Sequence, residues 1–117
     1  MKDTLIKLSE DYNLIERSIE NAKQYIKDWK LEREEEFIEF FSDYNLEDAL
    51  PDDFSAVEFV ALKIRHEVRF SPDNLEALQV VILLMTLDPE DNHIRNIFYY
   101  FCYYDMNGEF MEDFIDF

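Results

Sequence analysis

The side chains of this 117-residue chain to test first for chemistry are two histidines, one cysteine and an abundance of carboxylates. His66 lies between Arg65 and Glu67 in a segment read as helix, where a surface or half-buried histidine is expected rather than a general base. Glu90 and His93 have the Glu-x-x-His spacing that sets two metal ligands on one helix face. A di-iron bundle needs two such motifs and two further glutamates, and only one copy is present. The acids around Glu90 are read instead as a solvated helix start, favoured by the helix dipole. Asp105-Met106-Asn107-Gly108-Glu109 has the opening of a calcium loop. The sixth and twelfth positions, which require glycine and a bidentate glutamate, are Phe110 and Asp116. No metal and no cofactor is expected.

Cys102 is the single cysteine, so an internal disulfide and a cysteine-based zinc site are both excluded. Gly108 is the single glycine. Phosphate-cradling loops need several glycines for close backbone approach, so neither a P-loop nor a dinucleotide fingerprint exists. No local signature supports a Ser-His-Asp or Cys-His arrangement. The chain is expected to bind rather than catalyse.

What remains is charge. The net charge is −17 and the isoelectric point is near 4.2. Such a chain is repelled by phosphate backbones and by anionic membranes, so direct nucleic-acid and membrane binding are both disfavoured. The plausible partners are basic. Between Glu32 and Glu58 there are eleven acids and one base, Arg33, and from Tyr99 to Phe117 there are five acids and no base. Solubility of a small domain needs a net charge of only about 2–8, and the excess costs stability through self-repulsion. On a helix, Glu32, Glu35, Glu36, Glu39 and Asp43 span roughly 16 Å, a carboxylate every 3–4 Å or so, against ~3.4 Å per phosphate along one DNA strand.

The elements that must position these acids are read as helices. Leu5, Leu8, Tyr12, Ile15, Ile19, Ala22, Ile26 and Trp29 alternate spacings of 3 and 4, a helix-packing seam. In so small a domain the seam is expected to pack in the protein's own core, leaving a monomer. Phe37, Phe40, Phe41 and Tyr44 share one side of the next stretch and its acids the other. That helix should end between Ser42 and Asn45. Phe54, Val57, Ala61, Ile64 and Val68 fit a third helix, capped by Asp52 or Asp53. Ser71-Pro72 and Asp88-Pro89 read as starts of a fourth and a fifth. The fourth holds the unbroken apolar run Val80 to Met85 and is expected at the centre. The expected fold is mainly α: a compact bundle of about five helices in a single domain, residues 1–117. At the C-terminus the strand-prone Phe98 to Tyr104 and the Asn107-Gly108 turn signal leave a choice between a small hairpin and a short terminal helix. A helix to about Tyr104 followed by a short terminal helix is the reading preferred. Met1 to Thr4 lacks the apolar core of a secretory signal, and Val80 to Met85 is far short of a membrane span. A reducing cytoplasm is the expected compartment.

In size, isoelectric point, helicity and clustered carboxylates the chain resembles the small acidic DNA-mimic proteins of bacteria and phages. The resemblance is one of overall character, without a shared motif. It implies a decoy whose acidic face occupies the nucleic-acid site of a restriction enzyme, nuclease, repair glycosylase, CRISPR effector or histone-like nucleoid protein and inhibits DNA binding there. The chain is similar, as generically, to acidic immunity proteins that neutralise nuclease toxins, the alternative function. Glu32, Glu34, Glu35, Glu36, Glu39, Asp43, Glu47, Asp48, Asp52 and Asp53 are the expected phosphate stand-ins. Glu109, Glu112, Asp113 and Asp116 extend that face if the C-terminus folds beside it.

Overall fold

The computed structural model describes residues 2–69, 75–88, 90 and 92–117. Three helices come first: α1 (Lys2–Asp11), α2 (Leu14–Glu32) and α3 (Glu34–Ser42). Four strands follow, β1 (Val57–Arg69), β2 (Leu75–Leu87), β3 (Ile94–Tyr104) and β4 (Phe110–Asp116), paired antiparallel in chain order as one meander. The fold is therefore mixed, with helices on an antiparallel sheet. The mainly α bundle expected from sequence is wrong beyond residue 56.

The reasons are local and can be named. In β1, Ile64, His66 and Val68 alternate with Lys63, Arg65 and Glu67, the period of 2 that a half-buried strand shows. The same segment also satisfies a 3-and-4 spacing, which is why it reads as helix. The run Val80 to Met85 has no period at all, and an apolar run of this kind fits a buried strand as well as a buried helix. It is the central strand β2. Its β-branched Val80, Val81 and Ile82 tip the balance, since such side chains are stiff at χ1 and pack well on a pleated surface. β3 is likewise rich in aromatics. The expected fourth-helix start at Ser71-Pro72 lies outside the described residues. Asp88 caps a turn and not a helix: its carboxylate accepts the Glu90 N–H at 2.9 Å within the β2–β3 connection.

The C-terminus is a hairpin of β3 and β4, so the preferred reading, a helix to about Tyr104 and a short terminal helix, is wrong. Asp105 Oδ1 accepts the N–H groups of Asn107 and Glu109 at 2.8 and 3.0 Å. Gly108, at φ 80, closes the turn. Elsewhere asparagine fills the left-handed positions that glycine usually takes: Asn13 (φ 55) separates α1 from α2, and Asn45 (φ 57) follows α3.

The helices lie on one side of the sheet. Leu14, Ala22, Ile26, Trp29, Phe37 and Phe41 pack against Leu78, Val80, Ile82 and Leu84 of β2 and Phe98, Tyr100, Cys102 and Tyr104 of β3. The seam from Leu5 to Trp29 is thus spent internally, except for Ile15, which is exposed. Asn13 shifts the helical phase so that Leu14 and Ser18 turn inward instead. Ser18 and the Tyr104 hydroxyl share a buried hydrogen bond of 2.8 Å, joining α2 to β3.

Candidate functional site: an acidic depression where two helices meet

The site begins with a break. Arg33 adopts φ −141, ψ 61 between α2 and α3. Its N–H still donates to Trp29 O at 2.8 Å, and its carbonyl accepts the Phe37 N–H at 3.0 Å. The buried ring of Trp29 meets Phe37 at 5.9 Å and Phe41 at 5.3 Å, and those two rings stand 4.6 Å apart. This aromatic knot fixes α3 against the end of α2, so the remaining positions must face water. Most of those positions are glutamates, with Ile38 exposed among them. Glu32, Glu34, Glu35, Glu36 and Glu39 are all exposed and line one shallow depression with Arg33. Glu34, Glu35 and Glu36 occupy the first turn of α3, where the positive end of the helix dipole offsets part of their repulsion. Arg33 Nη1 stands 3.5 Å from Glu36 Oε1, both largely in solvent. Exposed ion pairs of this kind contribute about 0–1 kcal/mol.

The other expected acids distribute unevenly. Asp43 is exposed just after α3, and Arg95 ties that end to β3 by donating to the Asp43 carbonyl at 3.0 Å. Asp48, Asp52 and Asp53 are exposed along the connection to β1. The Asp53 carboxylate accepts the Ser55 N–H at 2.9 Å, which holds its pKa below the ordinary value. Glu47 is partly withdrawn: one carboxylate oxygen is buried without a hydrogen-bond partner among the described residues.

The C-terminal acids divide between the two faces of the sheet. Asp113 points to the helix side, where the buried Tyr100 hydroxyl donates to its Oδ2 at 2.6 Å. Burial above all, and then this carboxylate, push the Tyr100 phenol far above its ordinary pKa. Glu112 and Asp116 pair with Tyr103 and Tyr99, on the side away from the helices. Glu109 sits at the hairpin turn. The end of β4 does fold beside α3, with the Phe117 ring tilted against that of Phe40 at 4.9 Å. Yet only Asp113 joins the helix-side acids.

It does so through a cleft that the sequence reading missed. Between α2 and β4 a space of about 450 Å³ is walled by Asp28, Glu32 and Asp113, by Tyr25, Trp29 and Phe110, and at one edge by Arg33, whose guanidinium lies 6.0 Å from the Trp29 ring. Glu32 belongs both to this cleft and to the depression on α3. The available signal was the stripe Asn21, Tyr25, Asp28, Glu32, spaced 4, 3 and 4 beside the apolar seam. Carboxylates with aromatic faces suit a cation, because the ring quadrupole and the carboxylate charge attract it together.

The histidine and cysteine candidates separate. His66 Nε2 stands 3.7 Å from Glu76 Oε2 on neighbouring strands. Glu90 and His93 lie in the β2–β3 connection, where no helix brings an i, i+3 pair onto one face. Cys102 is buried, with Asn21 Nδ2 at 3.6 Å from its sulfur. Among the described residues no group of three or more His, Cys, Asp or Glu is placed to hold a metal ion, and no helix is long and apolar enough to cross a membrane. The chain matches no protein-family model, no curated protein and no solved structure.

Proposed function

We propose that this protein is a non-catalytic decoy that acts in the cytoplasm, its acidic helical face occupying the nucleic-acid-binding surface of a basic protein. The observation that carries the reading is the convergence of Glu32, Glu34, Glu35, Glu36 and Glu39 on one exposed depression held by a rigid aromatic knot. Fixed geometry is what a decoy needs. DNA gains affinity by releasing condensed counterions, and a protein of lower charge density releases fewer. The difference has to come from pre-organised contacts that lose little entropy on binding. The adjoining cleft supports the reading, since an arginine or lysine of the partner can enter between Asp28, Glu32 and Asp113 and stack on the rings. Phe40, on the apolar side of α3, is half-buried among Trp29, Phe41, Tyr44, Phe98 and Phe117. Its part is to stiffen the face.

The test is a charge reversal. The Glu35→Lys/Glu36→Lys/Glu39→Lys/Asp43→Lys variant keeps the helix, because all four side chains are exposed. Basic nucleic-acid-binding proteins captured from lysate by the wild-type chain, and displaced from it by duplex DNA, are not captured by the variant. A variant that folds by circular dichroism and still competes with DNA for the same proteins refutes the proposal.

A further inference from the structure

The helices cover one face of the sheet, and the other face is not the polar surface that an open antiparallel sheet ordinarily presents. On β2 that face carries Ala77, Gln79, Val81, Leu83 and Met85. Ala77, Val81, Leu83 and Tyr103 are buried and yet form no part of the core beneath the helices. They are shielded by their neighbours on the sheet itself. Phe114 stacks on Phe101 at 5.0 Å and on Tyr103 at 5.8 Å, and Gln79 Nε2 donates to the Tyr103 hydroxyl at 2.7 Å. Among the described residues no helix packs on this tiled surface. The molecule is a slab, with Cα extents of 44 × 29 × 21 Å. It exposes 7568 Å², against roughly 6,800 Å² for a folded monomer of this mass.

The strand register orders this face into rows. Across the sheet from β1 to β4 they read Val60, Leu83, Tyr99, Asp116; then Lys63, Val81, Phe101, Phe114; then Arg65, Gln79, Tyr103, Glu112. The centre of one edge is basic, with Lys63 and Arg65, the middle of the face is apolar and aromatic, and the other edge carries the acids Glu112 and Asp116. Glu58 and Glu67 stand at the two ends of β1 as a polar rim. A surface of this pattern complements itself. Rotation by half a turn about an axis parallel to the strands, running between the β2 strands and β3 strands of two facing copies, lays β1 of each over β4 of the other. Arg65 then faces Glu112, Lys63 faces Phe114 between the two acids, and Val81 and Leu83 meet Phe101 and Tyr99. An axis across the strands would instead set β4 on β4, acid against acid.

We propose that the open sheet face seats a second copy of this chain in that two-fold arrangement. The result is a four-layer dimer with the sheets inside and the helices outside. This departs from the monomer expected from sequence, which considered only the helical seam. The charge of −17 per chain does not forbid it. With layers about 10 Å apart, the two helical layers lie roughly 30 Å from one another, several times the ~8 Å screening length at physiological salt. Four strands at ~4.8 Å and five rows at ~6.8 Å give a face of about 600 Å² in projection, which puts the dimer at the smaller, reversible end of specific interfaces.

Sedimentation velocity over micromolar to millimolar concentrations tests it. The expected result is a rise from 14.2 kDa toward twice that mass. Arg65→Glu and Glu112→Arg each weaken association by about tenfold or more, and the two together restore it, because the pair re-forms with its charges exchanged. If Arg65→Glu fails to fold by circular dichroism, Lys63→Glu on the same edge replaces it with the same expectation. A chain that stays at 14.2 kDa throughout, or a dimer indifferent to these reversals, overturns the proposal. Single variants that weaken the dimer without recovery in the double variant overturn the placement of β1 over β4.

Discussion

Replacing Gly108 by alanine tests how the C-terminal hairpin is locked to the helices. Gly108 sits at φ 80, and a Cβ built there would lie 2.5, 2.7 and 2.9 Å from Cγ, Cδ1 and Cδ2 of Tyr12. Ordinary carbon contacts are ~3.5–4.0 Å. The ring cannot easily retreat, because Tyr12 immediately precedes the left-handed Asn13 and its hydroxyl donates to Met106 O at 3.4 Å. The hairpin cannot retreat either: Arg17 Nη1 donates to Gly108 O at 2.8 Å and to Tyr12 O at 3.1 Å. Left-handed backbone with a Cβ costs about 1–2 kcal/mol, and overpacking a rigid contact about 1–3 kcal/mol. Reduced freedom of the unfolded chain returns about 0.4–1 kcal/mol. The net loss is about 1–5 kcal/mol, centred near 3, a large share of the ~5–15 kcal/mol by which small domains are stable. Urea unfolding followed by circular dichroism measures it. The steric part can be isolated by repeating the substitution in a Tyr12→Ala background, where only the backbone term of about 1 kcal/mol should remain. An equal cost in both backgrounds would falsify the claim that Tyr12 and Gly108 form one lock.

Three further outcomes are expected. Added salt should raise the melting temperature at neutral pH by screening the clustered carboxylates; a flat or falling response from low to moderate ionic strength would mean that the acids are already compensated. Tyr100 and Tyr104 are fully buried, and burial pushes both phenols above their ordinary pKa. Because their protonated forms are favoured only in the folded state, this stability is intact below about pH 10 and is lost as pH rises beyond it, by about 1.4 kcal/mol per unit for each phenol. Urea midpoints measured on the alkaline side should therefore fall less steeply for Tyr104→Phe, and an unchanged slope would count against the linkage. Finally, the affinity of a captured basic partner should decrease with salt less steeply for this protein than for duplex DNA, as read by isothermal titration in a salt series; equal slopes would remove the argument from fixed geometry.

The sequence by itself determined the helical half and its charge. From Leu5 to Trp29 the apolar residues keep helical spacing between polar ones, which makes both stretches helix, although the left-handed Asn13 divides them and turns Ile15 outward in favour of Leu14 and Ser18. The outward display of Glu32, Glu35, Glu36 and Glu39 followed, because a helix wheel is local and Phe37 and Phe41 set its inner side. The Asn107-Gly108 turn was legible for the same reason, since positive φ is a property of the residue itself. The sheet was not legible. Val80 to Met85 carries no period, and β1 satisfies two periods at once, so neither segment declares its conformation until another strand lies beside it. Strand pairing joins residues far apart in the chain, and its register decides which face each side chain takes. Only that register sends Asp113 to the cleft with Glu32 while Glu112 and Asp116 go to the opposite face. It also aligns Lys63 and Arg65 with the apolar rows between them and the acids of β4. The acids were written in the chain, but which of them stand together was decided by hydrogen bonds between strands that no local pattern encodes.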